Sequence, residues 1–442
     1  MDLPQALAFL DRHLNREATA FSTISAGDIE GLSLGSMVEL MAFSGDAHLA
    51  YPVIHVTGTN GKGSVARMIT ELLVSSGLSV GSYYSPHLER INERICRDNE
   101  PIGDDELAQA ITEVARVTDL LTTPASWFEL VTATALRWFA DIAVDVAVIE
   151  VGLLGRYDAT NIVDAAVAVV TNVSGDHTDY SDGWRQKIAW EKAGIIKEGC
   201  EVVIGPGTED LLEIFAEQLP ARITSFDTDI VVEDTQVAMG GRLATILTPY
   251  GRHEEVTIAA HGLHQADNAA MAITAVERLF DRGLAVEVVD DAMARVRLPG
   301  RCEVLLANPL VIVDGGHNAA AAVGLAETLT DDFTPLGSRV LVVGMLEGRR
   351  FADLLEPLSG VGFDAMIATT PPGERGMPAS RLAAEAVAIG LACTVVSNPV
   401  QAIGRALDVA GDDDMVVIAG SFYQVAAARQ AVAAHRRRAS DD

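Results

Sequence analysis

The feature that most limits the fold is a set of short apolar runs without polar alternation. PVIHV, DVAVIEVG and AAVAVVTNV in the first part of the chain, and LVIVD, RVLVVGM, AMIATT and MVVIAG in the last, are built largely from consecutive Val, Ile, Ala and Leu. A strand with one face in water alternates apolar and polar residues, whereas a strand covered by helices on both faces does not. Helical patterns separate the runs, which predicts an α/β chain with mostly parallel sheets. Near Arg295 a helical pattern gives way to Leu298-Pro-Gly-Arg301, and a second series of strands begins. Two domains are expected, residues 1–296 and 297–442, with Pro299 and Gly300 as the hinge.

The composition narrows the function. The chain has 32 Lys plus Arg against 62 Asp plus Glu, a net charge of -30, which repels phosphate backbones and anionic lipid. Neither nucleic acid nor a membrane is an expected partner. Only Lys62, Lys187, Lys192 and Lys197 are lysines, so each invites a question that arginine would not. Cys96, Cys200, Cys302 and Cys393 lie far apart with no CxxC pair, as in thiols of a reducing compartment rather than a disulfide framework or a zinc site. The start MDLPQALAFLDRHLNRE lacks the basic and apolar regions of a leader, and no stretch reaches the roughly 18 uncharged apolar residues of a membrane span. A cytoplasmic monomer acting on small molecules is expected.

The strongest local motif is His55-Val-Thr-Gly-Thr-Asn-Gly-Lys-Gly-Ser64. It predicts a strand, a Gly-rich loop and a helix starting near Ser64. Backbone N–H groups of Thr59, Asn60, Gly61, Lys62, Gly63 and Ser64, with the positive helix end, would cradle the phosphates of ATP, and Lys62 would neutralise the β and γ groups. Compared with GxxxxGK(S/T), Val56 replaces the first glycine and Gly63 precedes Ser64, so the loop is a variant. Glu150 closes an apolar strand where α/β sheets present ligands, and is a candidate Mg²⁺ ligand. His177, in Asn172-Val-Ser-Gly-Asp-His-Thr-Asp179, is either a satisfied surface histidine or a second metal ligand. Lys192 lies in an Ala, Ile and Trp setting that would lower its pKa and open it to modification.

Taken in order, TGTNGKGS at 57–64, YSPHLERINERI at 84–95, IEVGLLGRYDATN at 149–161, DHTD at 176–179 and EKAGIIK at 191–197 make a pattern that GLHQADNA at 262–269, LPGR at 298–301, VDGGHNAAAA at 313–322 and GSFYQV at 420–425 continue. The pattern resembles the folylpolyglutamate synthase/dihydrofolate synthase family of the Mur ligase superfamily. That resemblance implies a P-loop-type ATP-binding domain, a Rossmann-like C-terminal domain, and an active site in the cleft between them. It assigns Ser85, Glu150 and His177 to the principal Mg²⁺, and makes Lys192 a carbamylated lysine helping to hold a second one. Asn268, Arg301 and Asp314 are implied to contact ATP, with His317 near the incoming amino acid. His87, Arg90 and Arg94, with Arg156 and Asp158, fall on the pterin-substrate side. Lys62, Lys192 and His317 become the catalytic set, and the implied reaction joins L-glutamate to a folate or pteroate carboxylate through an acyl phosphate.

The chain departs from the family pattern at Leu154, where a glycine is usual, at Tyr157 for leucine, at Gly316 and Ala319 for the Ala and Pro of DGAHNP, and around Gly348. These positions bear on the acceptor more than on the reaction. Two alternatives stay open: a Mur-type ligase with another carboxylate acceptor, and a nucleotide-dependent binding protein without ligase activity.

Overall fold

The computed structural model describes residues 1–15, 33–176, 178, 180–388 and 390–441. The chain divides into two compact units, one of 1–236, 243–258 and 266–296, the other of 237–242, 259–265 and 297–442.

The first unit is built on eight strands: β1 (Val53–Thr57), β2 (Val80–Tyr83), β3 (Ile95–Arg97), β4 (Glu100–Pro101), β5 (Val146–Glu150), β6 (Ala165–Val170), β7 (Glu201–Ile204) and β8 (Arg222–Ser225). Their order is β4-β3-β2-β5-β1-β6-β7-β8. The β4-β3-β2 edge is antiparallel and every other pairing is parallel. Every residue of β1 and β5 is buried, which explains why their sequences lack alternation. The helix Trp127–Asp141 closes one part of this core; Ser126 and Glu129 form its capping box. Gly81 of β2 admits the Phe139 ring, which a Cβ would meet at 2.6 Å. Burying a side chain such as Leu136 or Phe139 contributes about 1.5–3 kcal/mol.

Register positions the chemistry. Val56 pairs with Glu150, and Thr57 with Val170. Three parallel strands therefore end level with one another, and the loops that follow them meet at one sheet edge, where open α/β sheets bind ligands. A smaller three-stranded sheet, β9 (Val231–Ala238), β10 (Gly241–Thr248) and β11 (Gly251–Ile258), follows in sequence.

The second unit holds β12 (Glu303–Leu306), β13 (Leu310–Val313), β14 (Arg339–Val343), β15 (Ala365–Ala368), β16 (Cys393–Val395) and β17 (Met415–Ala419), in the order β12-β13-β17-β14-β15-β16. The sheet is mixed: β12 pairs antiparallel at one edge and the rest are parallel. Here too the strands flanked on both sides are the apolar ones; all of β17 is buried. The four cysteines are free. Among the described residues no helix is long and apolar enough to cross a membrane.

Candidate active site

The Gly-rich loop follows β1 and leads into the helix Lys62–Ser75, which begins two residues before the expected Ser64. Gly61 caps it at φ +82, a conformation that costs glycine little, so the helix can start at once. A Cβ on Gly58 would lie 1.7 Å from Thr171 Oγ1, and one on Gly61 would lie 2.7 Å from Asn268 Oδ1. Both glycines are thus fixed by what packs over them.

The loop is laced to the segment after β6. Thr59 N donates to Asn172 O (3.1 Å), Asn60 N to Asn172 Oδ1 (3.1 Å), and Thr59 Oγ1 to Ser174 O (3.1 Å). Thr171 Oγ1 and Asn172 Nδ2 both donate to Asn60 O, at 2.5 and 3.1 Å. Sequence reasoning singled out this segment for His177, which lies outside the described residues, and missed Thr171, Asn172 and Ser174 as loop supports. Their signal was a run of hydrogen-bonding side chains directly after a buried strand. Lys62 Nζ folds back onto the carbonyls of Gly58 (3.1 Å) and Thr59 (3.2 Å).

Glu150 is 4% exposed, and its Oε2 accepts the amide of Ser85 at 3.0 Å. The same carboxylate lies at the start of the Lys62–Ser75 helix, 3.4 Å from where a Cβ on Gly63 would stand. A magnesium–nucleotide site draws on one or two protein carboxylates, with phosphates and water completing the shell, so a buried carboxylate beside a phosphate-type loop fits that use. Among the described residues no group of three or more His, Cys, Asp and Glu side chains is gathered for a metal.

Lys192, on the helix Trp184–Ala193, is 3% exposed. Burial holds its amine well below the ordinary lysine range; the charge of Lys62 acts in the same direction, and Asp176 and Glu191 oppose it. Burial also lifts Glu191 to about 7, against the pull of Arg156 and Lys192.

The residues expected on the pterin side occupy separate settings. Arg94 is buried, donates from Nε to His87 Nδ1 (2.8 Å), and places its guanidinium 4.9 Å from the centre of the Trp127 ring. Arg90 forms an exposed ion pair with Asp104. Asp158 Oδ1 takes the amide and hydroxyl of Thr160 (3.0 and 2.5 Å), and Oδ2 takes the amide of Leu153 (2.9 Å), so its carboxylate builds its own loop. Arg156 stacks at 3.8 Å on Trp190.

In the second unit Asp314 follows β13. Its Oδ1 accepts the Gly316 amide (2.7 Å) and its Oδ2 the Cys302 amide (2.9 Å). The Arg301 guanidinium lies 4.0 Å from the centre of the Phe422 ring, and the His317 ring stands edge-on to the same aromatic, centroids 6.4 Å apart. Gly315 admits that ring, since a Cβ there would meet it at 2.5 Å. Phe422 sits within the GSFYQV motif, whose pattern by itself assigns it no role. Gly316 is equally constrained: a Cβ would fall 2.7 Å from Asp314 Oδ1 and 2.9 Å from the Ala321 Cβ.

Comparison with known proteins accords with these two units. The Mur ligase middle domain matches residues 56–276, and the Mur ligase glutamate ligase domain matches 300–422. A dihydrofolate synthase/folylpolyglutamate synthase of Mycobacterium tuberculosis is 35% identical over 380 residues, 79% of this chain and 77% of that protein. The structure of Mycobacterium tuberculosis folylpolyglutamate synthase complexed with ADP superposes with a TM-score of 0.89 at 32% identity, covering 97% of this chain and 98% of that one. A bifunctional folylpolyglutamate synthase/dihydrofolate synthase of Yersinia pestis, complexed with AMPPNP and a Mn ion, gives 0.83 at 28% identity, covering 98% of each. Fold and loop therefore define a Mur ligase. Within that class, the chain belongs to the folylpolyglutamate synthase/dihydrofolate synthase family.

Proposed function

We propose that this chain is an ATP-dependent ligase that joins L-glutamate to the carboxylate of a folate-type acceptor, either dihydropteroate or tetrahydrofolate and its polyglutamates. The observation that carries the proposal is the Gly58–Ser64 loop, shaped by glycines and laced to Thr171 and Asn172, with Glu150 at the start of its helix and Lys192 buried on the helix Trp184–Ala193. A cytoplasmic monomer is part of the proposal.

The acceptor carboxylate attacks the γ-phosphorus, the bond to the bridging oxygen breaks, and ADP leaves an acyl phosphate. The glutamate amine then attacks the acyl carbon, loses a proton, and expels phosphate. Two anions meet in the first step, so groups that spread the charge of the transferring phosphoryl decide its rate. Backbone amides of residues 61–64 at the helix start supply fixed donors there, while those of Thr59 and Asn60 hold the loop to Asn172. Lys62, on the carbonyls of Gly58 and Thr59, would exchange those carbonyls for phosphate oxygens when nucleotide binds. Divalent ions, held by Glu150 with Ser85 and His177 and by a Lys192 carbamate, would supply further neutralisation. Asn268, beside Gly61, together with Arg301 and Asp314, is assigned to the nucleotide, and His317 to the amino acid. His87, Arg90 and Arg94 are assigned to the acceptor. The domain roles follow: 1–296 for ATP and the pterin substrate, 297–442 for glutamate ligation.

The test is ADP release with ATP, Mg²⁺ and L-glutamate, adding dihydropteroate in one reaction and tetrahydrofolate in another, with the products weighed by mass spectrometry. A product heavier by one glutamyl unit supports the proposal and names the acceptor. ADP release that is indifferent to both acceptors refutes it.

A further inference from the structure

The loop between β5 and β6 is joined to the end of the helix Trp184–Ala193 at backbone level. Arg156 N donates to Glu191 O at 2.8 Å. Asn161 Nδ2 bridges Arg156 O (2.9 Å) and Gly194 O (3.0 Å). A Cβ on Gly155 would lie 2.9 Å from Glu191 O and 3.2 Å from Lys192 Cα, and one on Gly194 would lie 2.4 Å from Arg156 Cα. Neither glycine leaves room for a side chain, so the two segments are held at the closest approach that backbones permit.

The Arg156 side chain follows the same helix. Its Nη2 donates to Trp190 O (2.9 Å) and to Gln218 Oε1 (3.4 Å), and its guanidinium lies 3.8 Å over the Trp190 ring. The last turn of a helix presents carbonyl oxygens that lack an intrahelical partner and carry partial negative charge, so a guanidinium there is favourable. Arg156 thus serves two successive carbonyls, Trp190 by side chain and Glu191 by main chain, immediately before Lys192. Arg156 Nε and Glu191 Oε2 are buried without a hydrogen-bond partner, and their charges couple. The guanidinium is committed to the helix end.

We infer that Arg156 is a positioning residue for Lys192 and not a ligand of the acceptor. Stacked on Trp190 and bonded to the last turn, it fixes the helix end so that the Lys192 side chain stays buried. This rests on the proposed role of Lys192 in the ligase reaction. A lysine cannot reproduce the arrangement, because an ammonium offers no planar face to Trp190.

The test uses the full chain as Arg156→Ala and Arg156→Lys, each assayed for acceptor KM and kcat. Carbamate on Lys192 is measured alongside by ¹³C NMR under labelled bicarbonate, with Lys192→Arg as the blank. In Arg156→Ala the expected kcat falls on the order of 10–100-fold, the effect typical of losing a residue that orients a metal-site group. The acceptor KM stays within about twofold, as for a group that makes no contact with bound substrate. Carbamate occupancy at a given bicarbonate concentration falls too, and Arg156→Lys recovers part of both losses. An acceptor KM raised about tenfold with kcat unchanged would overturn the inference and return Arg156 to the substrate side. Carbamate missing from the wild-type chain would refute the modified lysine alone, and the division between kcat and KM would still decide the role of Arg156. Should Arg156→Ala not fold, the same readouts on Arg156→Lys settle it.

Discussion

Glu150 Oε2 accepts the amide of Ser85 at 3.0 Å, joining the end of β5 to the segment after β2 at the mouth of the Gly-rich loop. Glu150→Gln can keep that hydrogen bond through its amide oxygen and lose only the charge. Activity is expected to fall by on the order of 10²-fold or more, the scale of losing a metal's charge stabilisation, while thermal stability stays close to wild type. Steady-state rates over a Mg²⁺ titration, set beside a melting curve, check both halves.

Gly58 and Thr171 define a contact with no slack. Gly58→Ala places a Cβ 1.7 Å from Thr171 Oγ1 at φ +151, and should cost about 3 kcal/mol or more together with nucleotide binding. Adding Thr171→Ala removes that oxygen but leaves a Cβ at 3.0 Å, so the double variant should recover only part of the loss. ADP titration by calorimetry and denaturant midpoints would show it.

Leu154 combines a left-handed backbone, φ +58, with a side chain only 8% exposed, packed among Val170, Ile188 and Ile195. The backbone costs about 1–2 kcal/mol for a residue with a Cβ, and burial returns about 1.5–3 kcal/mol. Leu154→Ala keeps the strain and loses the burial; Leu154→Gly loses both. Glycine should therefore be the less damaging replacement, by about 0.5–1 kcal/mol. The four tryptophans, Trp127, Trp138, Trp184 and Trp190, all lie in the first unit, so their fluorescence follows the unfolding that decides the order.

Ala319 is the first residue of the helix Ala319–Asp331, behind the N-cap Asn318, whose φ of -128 and ψ of 166 suit the residue before a proline. Ala319→Pro should stabilise the second unit by about 0.5–1 kcal/mol, because proline at this position is already set for the helix. Hydrogen exchange across residues 319–331 should slow accordingly.

His55 gives the fold a pH dependence. It is completely buried, its Nε2 lies 3.0 Å from Thr160 Oγ1, and burial, with help from the Lys197 charge, takes it down to about 3 from 6.5. Thr160 Oγ1 donates to Asp158, so the His55 proton sits on Nε2, facing the hydroxyl. A depressed histidine contributes its stability in full above the unfolded value and loses it as pH falls, because only the unfolded chain takes up the proton. Between pH 7 and 5 this amounts to about 2 kcal/mol. Wild type should lose that much more urea resistance across the interval than His55→Gln.

The buried strands and the Gly-rich loop are legible in the sequence because their physics is local: unbroken Val and Ile runs mark coverage on both faces, and glycines around a lone lysine mark a close approach. The start of the helix at Lys62 is less so, since it depends on the left-handed turn at Gly61. Thr171 and Asn172 become loop supports only through the pairing of Thr57 with Val170, a register that no local pattern encodes. The stacking of Arg156 on Trp190 is not legible in its motif, since the position of Trp190 depends on a helix that follows a further strand. Phe422 likewise gains its place from Gly300 and Gly315, more than a hundred residues earlier in the chain.

The proposed ligase reaction requires an acyl phosphate, and oxygen transfer tests for it most directly. An acceptor carrying ¹⁸O in its carboxylate is incubated with ATP, Mg²⁺ and L-glutamate, and the released phosphate is weighed. Transfer of one labelled oxygen from the carboxylate to phosphate, with one glutamyl unit gained by the acceptor, is the predicted result. Unlabelled phosphate released alongside ADP would contradict it.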